Sequence, residues 1–164
     1  MAAAALALLA LALSGCGLSP MYAGGGNGTV ARALAGIEVE PIEGQAGWLV
    51  RNALQDQLAE SGSASAGSRY VLSVKLDDQL EGLGLLNDDT IGRERRTLRA
   101  RYTLIDNTSG DVVMDATAGA DAGVDVVSSE YATIAAEQAA LENLARTVAD
   151  RIVKSLAVRL RQSP

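Results

Sequence analysis

The chain offers few side chains that could perform acid–base or nucleophilic chemistry. It contains no His and a single Cys, and it has neither a Gly-x-Ser-x-Gly nucleophile turn nor a Walker-type phosphate loop. The adjacent acids Asp77 and Asp78, and Asp88 and Asp89, could in principle form an acid–base pair as in glycosidases. Neighbouring residues of a strand face opposite sides, however, and paired acids in a loop are commonly solvated turn formers. We therefore expect no enzymatic activity.

Metal ligands are equally scarce. No Cys-x-x-Cys pair or Cys/His cluster is present, since the chain has one Cys and no His. The most acidic loop runs Asn87-Asp88-Asp89-Thr90, without the oxygen ligand at every second position that an EF-hand calcium loop needs. We expect neither a bound metal ion nor a cofactor.

Basic residues are concentrated in one segment. Five of the 14 Lys and Arg residues lie between Arg93 and Arg101. Alternation along a strand places Arg95, Arg99 and Arg101 on one face, where guanidinium groups could bind phosphate bidentately. A phosphorylated amphiphile, or a partner protein, is one candidate ligand for this face. The alternative is cross-strand ion pairing with nearby acids, namely Asp77, Glu81 or Asp115.

The overall charge does not favour a nucleic-acid partner. The formal net charge is −6, and the segment before Cys16 carries no charge, so a form processed at Cys16 keeps the full value. No general basic surface is available to neutralise phosphates. We therefore predict that the chain does not bind nucleic acid.

Cys16 follows an apolar segment typical of a secretory signal. Residues 1–15, MAAAALALLALALSG, are uncharged and end in small residues. The run ends at Gly17, before the length of about 20 residues that a membrane-spanning helix needs. A signal peptide normally begins with Lys or Arg, and none precedes Cys16. We expect either that the true start lies upstream or that the start codon is assigned wrongly.

The four residues Leu13-Ser14-Gly15-Cys16 resemble the lipobox of bacterial lipoproteins. In that motif the thiol is lipidated and the signal is cut just before it. Several acyl chains on one Cys would hold the protein firmly to a membrane, because each buried methylene contributes about 0.8 kcal/mol. The sequence thus predicts a signal peptide over 1–15, and the lipidated Cys16 with a flexible tether over 16–35.

The elements that carry the Arg segment follow from hydrophobic periodicity. A short strand is predicted at Ile37 and Val39, a helix from about Gly47 to Ser61, and a strand from about 69 to 81. Leu98, Ala100, Tyr102 and Leu104 give the third strand an apolar face opposite its Arg face, and a fourth strand begins at Val112.

The final 35 residues predict one long helix without Gly and with Pro only at its end. Its apolar stripe comprises Ile134, Leu141, Leu144, Val148, Ile152, Leu156 and Leu160. The predicted fold is a single α+β domain over 36–164, in the order β-α-β-β-β-α. Both helices should cover one face of a four-stranded, mostly antiparallel sheet, forming a two-layer sandwich.

Several segments in the same order resemble the LptE family of lipopolysaccharide-assembly lipoproteins. The opening Cys16-Gly17-Leu18-Ser19-Pro20-Met21-Tyr22 is similar to the family's Cys-Gly-Phe-x-Pro-Leu-Tyr, with Leu18 and Met21 as departures. The other matching segments are 49–54 (LVRNAL), 70–74 (YVLSV) and 100–106 (ARYTLID), with Tyr131, Leu144-Ala145 and Ile152 in the last helix. The resemblance spans nearly the whole chain.

The resemblance implies a specific place in the cell envelope. A member of this family would be anchored in the outer membrane on its periplasmic side and would sit inside the lumen of the LptD β-barrel. There it would act as plug and assembly partner and help to deliver lipopolysaccharide to the outer leaflet. It would not be an enzyme. The alternative is an accessory lipoprotein of an ABC-type envelope transporter.

Overall fold

The computed structural model describes residues 28–62, 67–83 and 92–162. The elements in chain order are α1 Thr29–Ala35, β1 Ile37–Val39, α2 Gly44–Ser61, β2 Tyr70–Gly82, β3 Arg93–Asp106, β4 Val112–Asp125 and α3 Glu130–Gln162. The predicted signal peptide, Cys16 and the Asp88–Asp89 pair lie outside the described residues.

The strands form one mixed sheet in the order β1-β2-β3-β4. The short β1 runs parallel to β2, because α2 carries the chain back between them. The pairs β2–β3 and β3–β4 are antiparallel hairpins, as the predicted three-strand meander requires. The α+β class and the mostly antiparallel four-stranded sheet are therefore confirmed.

The core lies between the helices and one face of the sheet. The predicted apolar face of β3 is buried, as are Tyr70, Leu72 and Val74 of β2. The long α3 lies over β3 and β4, and α2 packs beside it toward β1 and β2. Alternation leaves the odd-numbered residues of β2 and β3 on the other side, which no described helix covers.

The structure contains a helix that the sequence analysis did not predict. Residues 29–35 lie within the predicted tether, but they form α1, which packs against α2 and α3 and buries Ala31 and Leu34. A helix of seven residues is too short to show clear periodicity and draws its stability from tertiary packing. The described fold thus already includes Thr29, ahead of the predicted domain start at residue 36.

One residue of the predicted α3 stripe is not in the core. Ile134 is 55% exposed, whereas Leu141 and the later members of the stripe are buried. Gln45, in the first turn of α2, donates to the side-chain oxygen of Gln138 at 2.9 Å, so the amino-terminal end of α2 lies level with Gln138. Ile134 lies one turn beyond that level, where α2 no longer covers α3.

Candidate functional site

The face of the sheet turned away from the helices, here called the open face, carries most of the chain's clustered charge. Register alone places its members together, because Lys75, Arg101 and Thr117 are aligned across the three long strands. Its five basic residues are Lys75, Arg93, Arg95, Arg99 and Arg101. Its five acidic residues are Asp77, Glu81, Asp115, Asp121 and Asp125. The open face is thus rich in charge but formally neutral.

Arg101 binds a carboxylate bidentately, through the Nε and Nη2 atoms of its guanidinium group. Its Nη2 lies 2.9 Å from Asp115 Oδ2, and its Nε donates to Oδ1 at 3.2 Å. This hydrogen-bonded pairing raises the pKa of Arg101 and lowers the pKa of Asp115. The side chains are 68% and 44% exposed, so water screens the pair strongly.

Arg99 reaches its carboxylate by lying across a glycine. Its Nη2 is 3.1 Å from Asp121 Oδ1, and the hydroxyl of Thr97 donates to the same oxygen at 2.8 Å. A Cβ on Gly119 would lie 2.5 Å from Arg99 Cδ, so this path requires glycine there. The Thr97 hydroxyl is the main cause of the lowered pKa of Asp121, and the charge of Arg99 adds to it.

Arg95 is the third predicted site residue, and it is placed differently from the other two. It is exposed and forms no salt bridge with the described part of the chain. Its positive charge nevertheless contributes to the lowered pKa of Asp121. The structure therefore brings all three predicted arginines onto one face. Two of them are paired with carboxylates, including the predicted partner Asp115.

Arg96, another arginine of this segment that the sequence analysis did not single out, connects the sheet to α3. Arg96 lies on the helix side, where its Nε and Nη2 donate to Asp78 at 2.9 and 2.7 Å. Its Nη1 donates to the Glu137 carbonyl of α3 at 3.1 Å. The sequence did carry a signal for this pairing, because Asp78 and Arg96 both occupy even-numbered positions, which face the helix side of the sheet. Asp77 and Asp78 face opposite sides, as expected for neighbours in a strand.

The described residues include no group of three or more His, Cys, Asp and Glu side chains placed to hold a metal ion. Within the same ranges, none of the helices combines the length and apolarity needed to cross a bilayer. A cavity of about 360 Å³ lies between α2 and α3, and Trp48, Asp56, Glu142 and Arg146 are among its lining residues.

Comparison with known proteins identifies the family. Residues 34–156 match the model of the LptE lipopolysaccharide-assembly family. A lipoprotein from Caulobacter crescentus CB15 shares the fold with a TM-score of 0.68 and 27% identity, covering 82% of this chain and 97% of that one. No curated protein matches the chain in sequence.

Two more distant structures share the fold alone. Rare lipoprotein B from Shewanella oneidensis is 12% identical with a TM-score of 0.57, covering 74% of this chain and 93% of that one. A minor lipoprotein from Acinetobacter baumannii is 14% identical with a TM-score of 0.59, covering 74% and 90%. Because the family match extends over most of the sequence, this chain belongs to the LptE family of lipopolysaccharide-assembly lipoproteins.

Proposed function

We propose that this protein is a non-enzymatic outer-membrane lipoprotein that plugs an LptD-like β-barrel, assists its assembly and helps to deliver lipopolysaccharide to the cell surface. Membership of the lipopolysaccharide-assembly family supports this role. The observation that carries the proposal is the open face, which presents Arg95, Arg99 and Arg101 together with no described helix over them. Such a surface suits contact with a phosphorylated lipid or with the inner wall of a barrel.

The ion pairs on the open face are weak enough for a ligand to replace their carboxylates. Exposed ion pairs contribute little to stability because water screens them, so a phosphate can replace the carboxylates of Asp115 and Asp121 at little cost. Phosphate oxygens match the same guanidinium fork. Because the face is neutral overall, binding depends on the local geometry of the arginines rather than on a general positive field.

Replacing Arg99 and Arg101 together by Ala tests the lipopolysaccharide contact. The double variant should bind purified lipopolysaccharide more weakly and keep its circular dichroism spectrum, because both side chains point away from the core. The matched control is Arg32→Ala with Arg146→Ala, which removes the same charge from exposed positions of α1 and α3. Added salt should weaken wild-type binding by screening exposed charges. Equal binding by both double variants would contradict the ligand role.

The barrel partnership requires a separate experiment. Purification of the protein from detergent-solubilised membranes should bring down a large β-barrel in equal amount. Recovery of an inner-membrane ATPase complex instead would support the alternative, an accessory lipoprotein of a transporter. The same preparation without the protein's affinity tag is the control.

The anchor is proposed at Cys16, since the chain has no other thiol to form the thioether with lipid. Mass spectrometry of the mature protein should find acyl chains on an amino-terminal Cys16. Cys16→Ala should leave an uncleaved or soluble precursor, whereas Ser14→Ala should be processed normally because it keeps a small residue before the thiol. An unmodified Cys16, or a mature terminus elsewhere, would rule out this anchor.

A further inference from the structure

The second strand has a long edge that no described strand pairs with. The parallel partner β1 covers only Tyr70–Leu72, and the last hydrogen bond on that side joins Glu40 N to Leu72 O at 3.1 Å. The segment Pro41–Glu43 lines a cavity of about 410 Å³ beside residues 73–76. Beyond it, Leu76–Gly82 forms what we call the free edge of the sheet, within the described residues.

The hydrogen bonds at the start of β2 show which backbone groups point outward along the free edge. Tyr70 N donates to Gly36 O at 3.2 Å on this side, and Leu72 O accepts there, so even-numbered residues of β2 direct their N–H and C=O outward. The odd-numbered residues bond to β3, as Leu83 N does with Arg93 O at 2.7 Å. The outward-directed residues of the free edge are Leu76, Asp78, Leu80 and Gly82.

At the opposite edge of the sheet, formed by β4, side chains bond to the backbone carbonyls. On β4, the Gly119 carbonyl accepts from the guanidinium of Arg151, and the Val113 carbonyl accepts from Arg159 Nε at 3.0 Å. Side chains of α3 therefore occupy carbonyls of the β4 edge. No described side chain donates to the carbonyls of the free edge on β2. An edge with unused ladder groups is the usual site of strand addition.

The side chains beside the free edge differ between the two faces. On the helix side Leu80 is 43% exposed. On the open face the edge carries Asp77 and Glu81. The segment 76–82 has no basic residue, and Asp78 is already paired with Arg96. An added strand would thus meet apolar surface on one side and negative charge on the other.

We propose that the free edge accepts a β-strand of a partner protein whose side chains alternate between apolar and basic. The apolar side chains would cover Leu80, and the basic ones would lie opposite Asp77 and Glu81. A second copy of this chain is disfavoured, because antiparallel pairing of two free edges about Gln79 sets Asp77 against Glu81. The inference goes beyond the proposed function and does not depend on lipopolysaccharide.

A synthetic peptide of alternating valine and lysine is the probe, used with the mature lipoprotein in detergent. Amide hydrogen exchange of the wild-type protein should slow at Leu76, Asp78 and Leu80 when the peptide binds. The amides of Asp77 and Gln79 should change little, because they already face β3. This alternating pattern distinguishes strand addition from attraction through side chains. Uniform slowing at both sets of amides, or none, would overturn the proposal.

Two variants at Leu80 separate the contribution of the backbone N–H to peptide binding from that of the side chain. Leu80→Pro removes an outward N–H and leaves the β2–β3 ladder intact, as proline at a strand edge allows. We expect it to weaken peptide binding about fivefold or more relative to Leu80→Ala, which keeps the N–H. A peptide of alternating valine and glutamate should not bind. Equal loss in the two variants, equal binding of the acidic peptide, or dimerisation of the protein through β2 in analytical ultracentrifugation would each contradict the proposal.

Discussion

At the scale of single residues, two carboxylates hold arginine side chains in place on the open face. Asp121 accepts from the Thr97 hydroxyl and from Arg99, and Asp115 accepts from both prongs of Arg101. These contacts stabilise the charged form of each acid and lower its pKa below the ordinary value of 3.8. The groups stay exposed, so the arrangement orients the arginines without burying them.

The pKa of Asp121 should depend more on Thr97 than on Arg99. The hydroxyl is the larger cause of the lowered pKa, so Thr97→Val should raise the Asp121 pKa further toward 3.8 than Arg99→Gln does. Because the folded-state pKa lies below the unfolded value, this contact stabilises the fold above pH 3.8 and is lost as the pH falls through the folded pKa. Carboxyl-carbon NMR against pH measures both shifts. A larger rise in Arg99→Gln would contradict this ranking, and Asp115 serves as the internal control.

At the scale of elements, α3 dominates the fold. It is 33 residues long and buries twelve of them along one stripe from Thr133 to Leu160. Helix propensity alone does not fix a helix of this kind, since tertiary packing of the apolar stripe supplies most of its stability. Glu130 in its first turn, and Arg159 and Arg161 in its last, complement the helix dipole.

A charge in the α3 stripe should prevent folding. Leu144 is buried, and Leu144→Asp places a carboxylate there without a partner, at a cost of several kcal/mol. Its neighbour Asn143 is exposed, so Asn143→Asp should change the melting temperature little. Thermal denaturation followed by circular dichroism compares the two. Similar melting temperatures would show that the face of α3 that contains Leu144 is not the one packed against the core.

At the scale of the whole molecule, the two sides of the sheet have separate roles. The helix side forms the core, and Arg96 ties β2, β3 and α3 together there through Asp78 and the Glu137 carbonyl. The Arg96 and Asp78 side chains are only 16% and 24% exposed. The side chains of the open face carry no part of this core, and the outward backbone groups of the free edge take no part in it, which leaves both available for partners.

Removing the carboxylate that holds Arg96 should loosen the join between the layers. Asp78→Ala leaves a largely buried guanidinium without its fork partner and should lower the free energy of unfolding by about 1–3 kcal/mol. Asp77→Ala, one residue earlier on the exposed side, should have almost no effect. Urea denaturation of both variants measures the difference. Equal destabilisation would mean that Arg96 does not connect the layers.

Local pattern alone determined the strands, the two longer helices and the face on which Arg95, Arg99 and Arg101 lie. Alternation and helical periodicity are properties of neighbouring residues, so they can be read along the chain. The helix Thr29–Ala35, the exposure of Ile134 and the pairing of Arg96 with Asp78 were decided by the tertiary structure. A seven-residue helix forms only against α2 and α3, and Ile134 is exposed only because α2 begins at Gly44. The free edge of β2 was decided in the same way, because only the strand register shows that β1 pairs with no more than Tyr70–Leu72.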